Sequence, residues 1–179
     1  MAARSFRTPR PSLAEPAYRL GGAVMLGAAA ILLTALGFEY LGGYKPCPLC
    51  LQQRWAYYAS LPLAFAALAV FSAGHRRIAA LALLAVGLGF LANAGLGVYH
   101  AGAEWNFWPG PTTCAGDLQP LATAGGVLKD LGAARVARCD AASWRLFGLS
   151  FAGWNVVASV ILFFLALKAA FAAAELPER

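Results

Sequence analysis

Charge is what this sequence has least of. Only 12% of its 179 residues are Asp, Glu, Lys or Arg, whereas 60% are hydrophobic, and such a chain lacks the polar surface needed to coat a soluble globule. That scarcity excludes a water-soluble domain and leaves an integral membrane protein. Internal repeats and low-complexity tracts are also missing, which removes solenoids and disordered scaffolds from consideration. Acidic residues number 8 against 14 basic ones, for a net charge of +6. Many of the basic residues lie in short flanks of apolar runs, so the excess reads mainly as a topology signal and an attraction to anionic lipid, with no nucleic-acid partner indicated.

The apolar residues that dominate the chain fall in four runs, 20–41, 49–71, 78–99 and 149–171. Each is long enough to cross a hydrocarbon core of about 30 Å as a helix. The expected architecture is therefore all-α: a four-transmembrane-helix bundle forming a single membrane domain over 1–179, with a tail at 1–19, one long loop at 100–148, and no room for a second domain. The tail carries Arg4, Arg7, Arg10 and Arg19 and so imitates the basic region of a signal peptide. The first run exceeds a signal core in length, and Glu39-Tyr40-Leu41-Gly42-Gly43-Tyr44 lacks a small-x-small cleavage site, so the run is expected to remain as an anchor.

Lys and Arg in short flanks set orientation. The tail arginines, Arg76 and Arg77 in the second turn, and Lys168 and Arg179 at the C-terminal end fall on one side. The other side has Lys45 and a long loop in which Lys129, Arg135, Arg138 and Arg145 are offset by Glu104, Asp117, Asp130 and Asp140. Both termini are thus expected in the cytoplasm and the long loop on the extracytoplasmic side. Trp55, Trp105, Trp108, Trp144 and Trp154, with Tyr44, Tyr57 and Tyr99, would form an aromatic belt at the outer interface. Val127, Leu128, Leu131 and Ala134 recur at near-helical spacing; an interfacial helix and a helix resting on a neighbouring loop fit that pattern equally.

This topology puts all four cysteines on the outer side, where disulfides survive. Cys47-Pro48-Leu49-Cys50 opens the second run. Two thiols three residues apart at a helix start lie within bonding reach, and the helix N-terminus favours the thiolate, the reactive form. Pro48 suits the first helical turn because its missing N–H would be unpaired there. An inert disulfide in so short a ring would stabilise little, which favours redox work. Arg54 lies one turn beyond Cys50 on the same face. Either it snorkels to the interface, or it stabilises negative charge on Cys50 or a reduced ligand beside it; intramembrane charges favour the second reading. His100 closes the third run; it is suited to donating a hydrogen bond or relaying a proton near neutral pH, and an interfacial histidine with its hydrogen bonds satisfied fits the position equally. His75, beside Arg76 and Arg77, belongs to the basic flank.

Cys114 and Cys139 lie in the loop, 25 residues apart and beyond the Gly- and Pro-rich Trp108-Pro109-Gly110-Pro111. Alone they read as a structural disulfide. Together with the first pair they suit a relay in which disulfides exchange through mixed intermediates. No second close Cys-x-x-Cys is present, so a four-cysteine zinc site, and with it any metal, is not expected.

Three segments carry a resemblance: Cys47-Pro-Leu-Cys50-Leu-Gln-Gln-Arg54, Tyr99-His100-Ala-Gly-Ala-Glu104-Trp105 running to Cys114, and Cys139-Asp-Ala-Ala-Ser-Trp144-Arg-Leu-Phe147-Gly148-Leu149-Ser150. In order, spacing and topology they resemble the bacterial disulfide-bond formation protein B (DsbB) family over nearly the whole chain. The resemblance implies a bacterial inner-membrane dithiol:quinone oxidoreductase that re-oxidises a periplasmic DsbA-like thiol oxidase. It implies that Cys114 forms the mixed disulfide with that partner, that Cys139 exchanges with Cys47, and that Cys50 is the thiolate meeting ubiquinone or menaquinone. Arg54 then matches the family's quinone-site arginine, and His100 a histidine near that site. A DsbA-type partner is already strongly oxidising, at about −120 mV, so its electrons need a still more oxidising sink, which a membrane quinone supplies. The sequence departs from the family at Pro48, where an aliphatic residue is known, and at Gln53, which replaces an acidic neighbour of Arg54.

Two other readings fit parts of the pattern. A vitamin K epoxide reductase-like protein would place its Cys-x-x-Cys after the loop pair, the reverse of the order here. A membrane scaffold or transport subunit braced by disulfides gives no account of Arg54.

Overall fold

A computed structural model describes residues 16–111 and 139–175. The first 15 residues of the tail, Cys114 and the periodic segment from Val127 to Ala134 lie outside the described residues. Four long helices appear: α1 (Pro16–Tyr40), α2 (Pro48–Ser72), α3 (Arg76–Glu104) and α4 (Phe151–Ala174). All four are long and apolar enough to cross a membrane, with α2 the least apolar because Trp55, Tyr57, Tyr58, Ser60 and Pro62 interrupt its aliphatic residues. Leu26, Leu33, Phe65, Leu81 and Phe164 stand exposed on the outer faces, as expected of side chains that meet lipid.

The helices surround a common axis. α3 packs most extensively on α4, followed by α2 on α3, α1 on α4 and α1 on α2, while the α2–α4 diagonal barely touches. The core is rich in alanine: Ala79, Ala166, Ala169, Ala170 and Ala173 are buried along the α3–α4 half. In hydrocarbon, where apolar side chains gain nothing by leaving solvent, small residues let backbones approach and recover dispersion energy. At Gly97 even a methyl group would lie 2.8 Å from a Val156 methyl.

Two boundaries differ from the sequence reading in ways that matter for the site. α3 continues past residue 99 to Glu104, because Ala101, Gly102 and Ala103 carry the helix inward-facing and buried beyond the end of the apolar run. The fourth helix starts at Phe151, and the residues before it form a small antiparallel hairpin, β1 (Arg145–Leu146) and β2 (Leu149–Ser150). Phe147 and Gly148 both have positive φ, 51° and 82°, the backbone of a tight turn that twists with its strands. Ser150 then caps α4 by accepting the Gly153 N–H at 3.2 Å.

The extended end of α3 is fixed by an indole. Trp108 donates its N–H to the Tyr99 carbonyl at 2.8 Å, stacks on the Tyr99 ring and lies flat over Gly102. A Cβ at Gly102 would meet that ring at 2.1 Å. Gly102→Val is therefore expected to expel Trp108, with a red-shifted tryptophan emission and a loss of about 1–3 kcal/mol in a denaturation series. An unchanged spectrum would mean the indole does not rest there.

Candidate functional site

Chemistry gathers at the end of the bundle where α1 and α3 finish and α2 and α4 begin. Cys47 is the N-cap of α2, held extended (φ −78°, ψ 165°) with Pro48 in the first turn, and its sulfur accepts the Cys50 N–H at 3.2 Å. The two thiols are free and 2.7 Å apart. His100 reaches across from α3 and brings Nε2 to 3.5 Å from the Cys47 sulfur. Its Nδ1 is 3.0 Å from the amide nitrogen of Gln53, and its Nε2 is 3.8 Å from Glu104, one turn further along α3. Cys139 is fully buried in the same cluster, packed with Cys47 and Leu49, and is itself disulfide-bonded.

Charge in this dithiol falls on Cys47. Its thiol is lowered from 9.0 to about 5, first because the Cys50 thiol donates to it and next because His100 does, against burial, which acts in the opposite direction. A lowered value keeps the thiolate on the high-pH side, so Cys47 should alkylate at a steady rate across neutral pH and slow as the pH falls through about 5. Peptide mapping after iodoacetamide pulses measures this. His100→Ala should move the midpoint upward, and a profile that keeps climbing to alkaline pH would contradict the assignment.

Behind Cys50 lies a cavity of about 600 Å³. One wall is aromatic: Phe38 and Tyr44 pack edge-on to Phe151, and Trp144 stacks on Phe151 with centroids 4.7 Å apart. Arg54 enters from α2 and forms an ion pair with Glu39 of α1, while also reaching the Ala35 carbonyl at 3.4 Å. The floor is polar. Tyr57 donates to the Asn155 carbonyl oxygen at 2.6 Å, and Asn93 donates to the same oxygen and, at 3.0 Å, to Ser159. The Asn155 amide nitrogen is buried against Gly97 without an acceptor among the described residues. A small apolar chamber with a few convergent polar groups is the usual form of a site for a flat organic ligand.

Folding brings together Cys47, Cys50, His100, Cys139 and, across the cavity, Arg54, whereas Cys114 falls outside the described residues. Several details depart from the sequence reading. Arg54 does not need an acidic neighbour at position 53, because α1 supplies Glu39. Gln53 instead turns to His100. Glu104, expected among solvated loop charges, is buried at the end of α3 because the helix runs on that far. Tyr57, expected in the aromatic belt, is buried in the bundle. Glu39, Gln53, Glu104 and the Tyr57–Asn93–Asn155–Ser159 network were not singled out as site residues. For Glu104 the signal is its i, i+4 spacing from His100, which requires that the helix continue; for Gln53 it is the position beside Arg54.

The family model described as Disulfide bond formation protein DsbB matches residues 18–169. A protein named Disulfide bond formation protein B from Aromatoleum aromaticum is 32% identical over 146 residues, covering 75% of this chain and 83% of its own length. Another of that name from Xanthomonas oryzae pv. oryzae is 30% identical over 161 residues, covering 83% and 87%. A third, from Methylococcus capsulatus, is 33% identical over 138 residues, covering 74% and 80%. No solved structure matches the chain.

Proposed function

The chain belongs to the DsbB family of disulfide bond formation proteins, and from that premise we propose that it is a dithiol:quinone oxidoreductase of the bacterial inner membrane. It takes two electrons from a periplasmic DsbA-like thiol oxidase and delivers them to a membrane quinone. The observation that carries this reading is the placement of Cys50: its thiol is hydrogen-bonded to Cys47 on one side, and the residue lines the apolar cavity that Arg54 also enters on the other.

The chain's own residues account for each transfer. A partner thiolate attacks Cys114 and opens the loop disulfide, releasing Cys139 as a thiolate and leaving a mixed disulfide. Cys139, packed with Cys47, attacks that sulfur in the oxidised inner pair, and Cys50 leaves as a thiolate beside the cavity. A second thiol of the partner resolves the mixed disulfide, releasing the partner oxidised and Cys114 as a thiolate; Cys114 then attacks Cys139 in its bond to Cys47, re-forming the loop disulfide and freeing Cys47, so that the inner pair is left reduced. His100, 3.5 Å from Cys47, hands protons to and from the inner pair as its charge changes. A quinone seated in the cavity supplies the two-electron acceptor. Arg54 sets a positive charge where negative charge develops, in surroundings of low dielectric where that interaction is strong. The flanking arginines support an orientation with both termini in the cytoplasm and the thiols in the periplasm, which suits a soluble periplasmic partner.

The test is anaerobic oxidation of a reduced DsbA-like protein by the purified chain, with ubiquinone and menaquinone analogues added in turn and quinone absorbance followed. Catalytic loss of absorbance with at least one of them is expected. No turnover with either would overturn the reading.

A further inference from the structure

The inner thiols sit among groups that disulfide exchange alone does not require. One ligand atom each from Cys47, Cys50 and His100 lies within 4.8 Å of the others. Glu104, in the same pocket, has a buried carboxylate oxygen with no hydrogen-bond partner among the described residues. From this convergence of two sulfurs and an imidazole, with a carboxylate beside them that keeps one oxygen unpartnered, we infer a redox-gated site for a thiophilic divalent cation, Zn²⁺ or Cd²⁺, formed only while the inner pair is a dithiol.

The geometry is close to what such an ion demands. Zinc binds Cys sulfur at about 2.3 Å and His nitrogen or carboxylate oxygen at about 2.0–2.2 Å in a tetrahedron, so its S···N edge measures about 3.5 Å and its N···O edge about 3.4 Å. The Cys47–His100 separation is 3.5 Å, and Oε1 of Glu104 lies 3.8 Å from His100 Nε2; Glu104 stands outside the 4.8 Å group, so its carboxylate must swing toward the sulfurs to become the fourth ligand. The S···S edge of that tetrahedron is about 3.8 Å, so the sulfurs, now 2.7 Å apart, must spread by rotation at Cys50. The outer contacts are also in place. Gln53 lies 3.0 Å from His100 Nδ1, and turning its amide by half a rotation makes it accept the Nδ1 proton. That fixes the tautomer whose Nε2 lone pair faces the sulfurs, the arrangement usual behind a metal-bound histidine.

Binding replaces the remaining thiol protons with the ion, and no electron moves. Both sulfur lone pairs then point at the metal, so neither sulfur can attack a disulfide or form one. Oxidation to the disulfide removes both thiolate ligands and expels the ion. The site thus traps the reduced protein. Binding itself does not depend on the quinone reading; its inhibitory consequence does.

The experiment uses the full chain in detergent with Cys114→Ser and Cys139→Ser, so that only the inner thiols report. The reduced protein is titrated with CdCl₂ under argon, and the ultraviolet sulfur-to-cadmium charge-transfer band is followed, with ZnCl₂ as competitor. One Cd²⁺ per reduced chain and none after diamide oxidation are expected. His100→Ala and Glu104→Gln, each in that background, should weaken binding at least about tenfold. No band at stoichiometric Cd²⁺, or the same affinity in both variants as in their parent, would overturn the site. In the unsubstituted chain Zn²⁺ should suppress turnover, with EDTA restoring it; binding without suppression would overturn the inhibitory role. Absence of turnover in metal-free protein would count against the quinone reading and leave the cadmium titration unaffected.

Discussion

Cys50→Ser is expected to stop quinone reduction altogether, a fall of at least about 10³-fold, while the chain still forms a mixed disulfide with its partner. Serine has no accessible anion near neutral pH and cannot close a disulfide with Cys47, so electrons reaching the inner pair have no exit. The outer pair keeps its own sulfurs and its own chemistry. The two halves separate in one preparation: non-reducing gels score the mixed disulfide, and quinone absorbance scores the exit. Quinone loss that persisted in this variant would mean that Cys50 is not the sulfur at the cavity.

Arg54→Ala should slow the quinone half-reaction by about 10²–10³-fold, the usual cost of removing one preorganised group from a developing charge, and leave exchange at the outer pair nearly unchanged. A simple loss is ambiguous, because the substitution also strands Glu39. Leaving one member of a fully buried ion pair alone costs about 3–5 kcal/mol. Here the two side chains retain 12% and 22% of their exposure, so the cost is smaller. Glu39→Gln combined with Arg54→Ala removes the stranded charge. Recovery of thermal stability in the double variant without recovery of quinone turnover would assign Arg54 a role at the reacting centre. Recovery of both would reduce it to a strut between α1 and α2.

Much of the site was legible where its determinants are local. The Cys47–Cys50 spacing, the proline between them and Arg54 one turn on all belong to one helix start, and an α-helix fixes their relative placement before any packing occurs. The bundle was legible for a similar reason, since hydrocarbon thickness sets the length of each span. What the sequence hid was set by contacts between helices. Glu39 and Arg54 are 15 residues apart and meet only because α1 lies against α2. Asn93, Asn155 and Ser159 are isolated polar residues in apolar runs, and their pairing appears only once α3 and α4 are in register. The end of α3 is hidden in the sequence because hydropathy falls at His100, whereas the helix is carried on by the buried Ala101, Gly102 and Ala103, with Trp108 over Gly102.

The hydrogen-bonded floor of the cavity also bears on how the protein is made. Tyr57 comes from α2, Asn93 from α3, and their shared acceptors Asn155 and Ser159 from α4. Until α4 enters the bilayer, the hydroxyl and amide of the first two lie in hydrocarbon without those acceptors, at a cost of several kcal/mol for each unsatisfied group. A nascent chain paused at three spans therefore carries its own chemical mark of incompleteness, and only arrival of the last helix erases it.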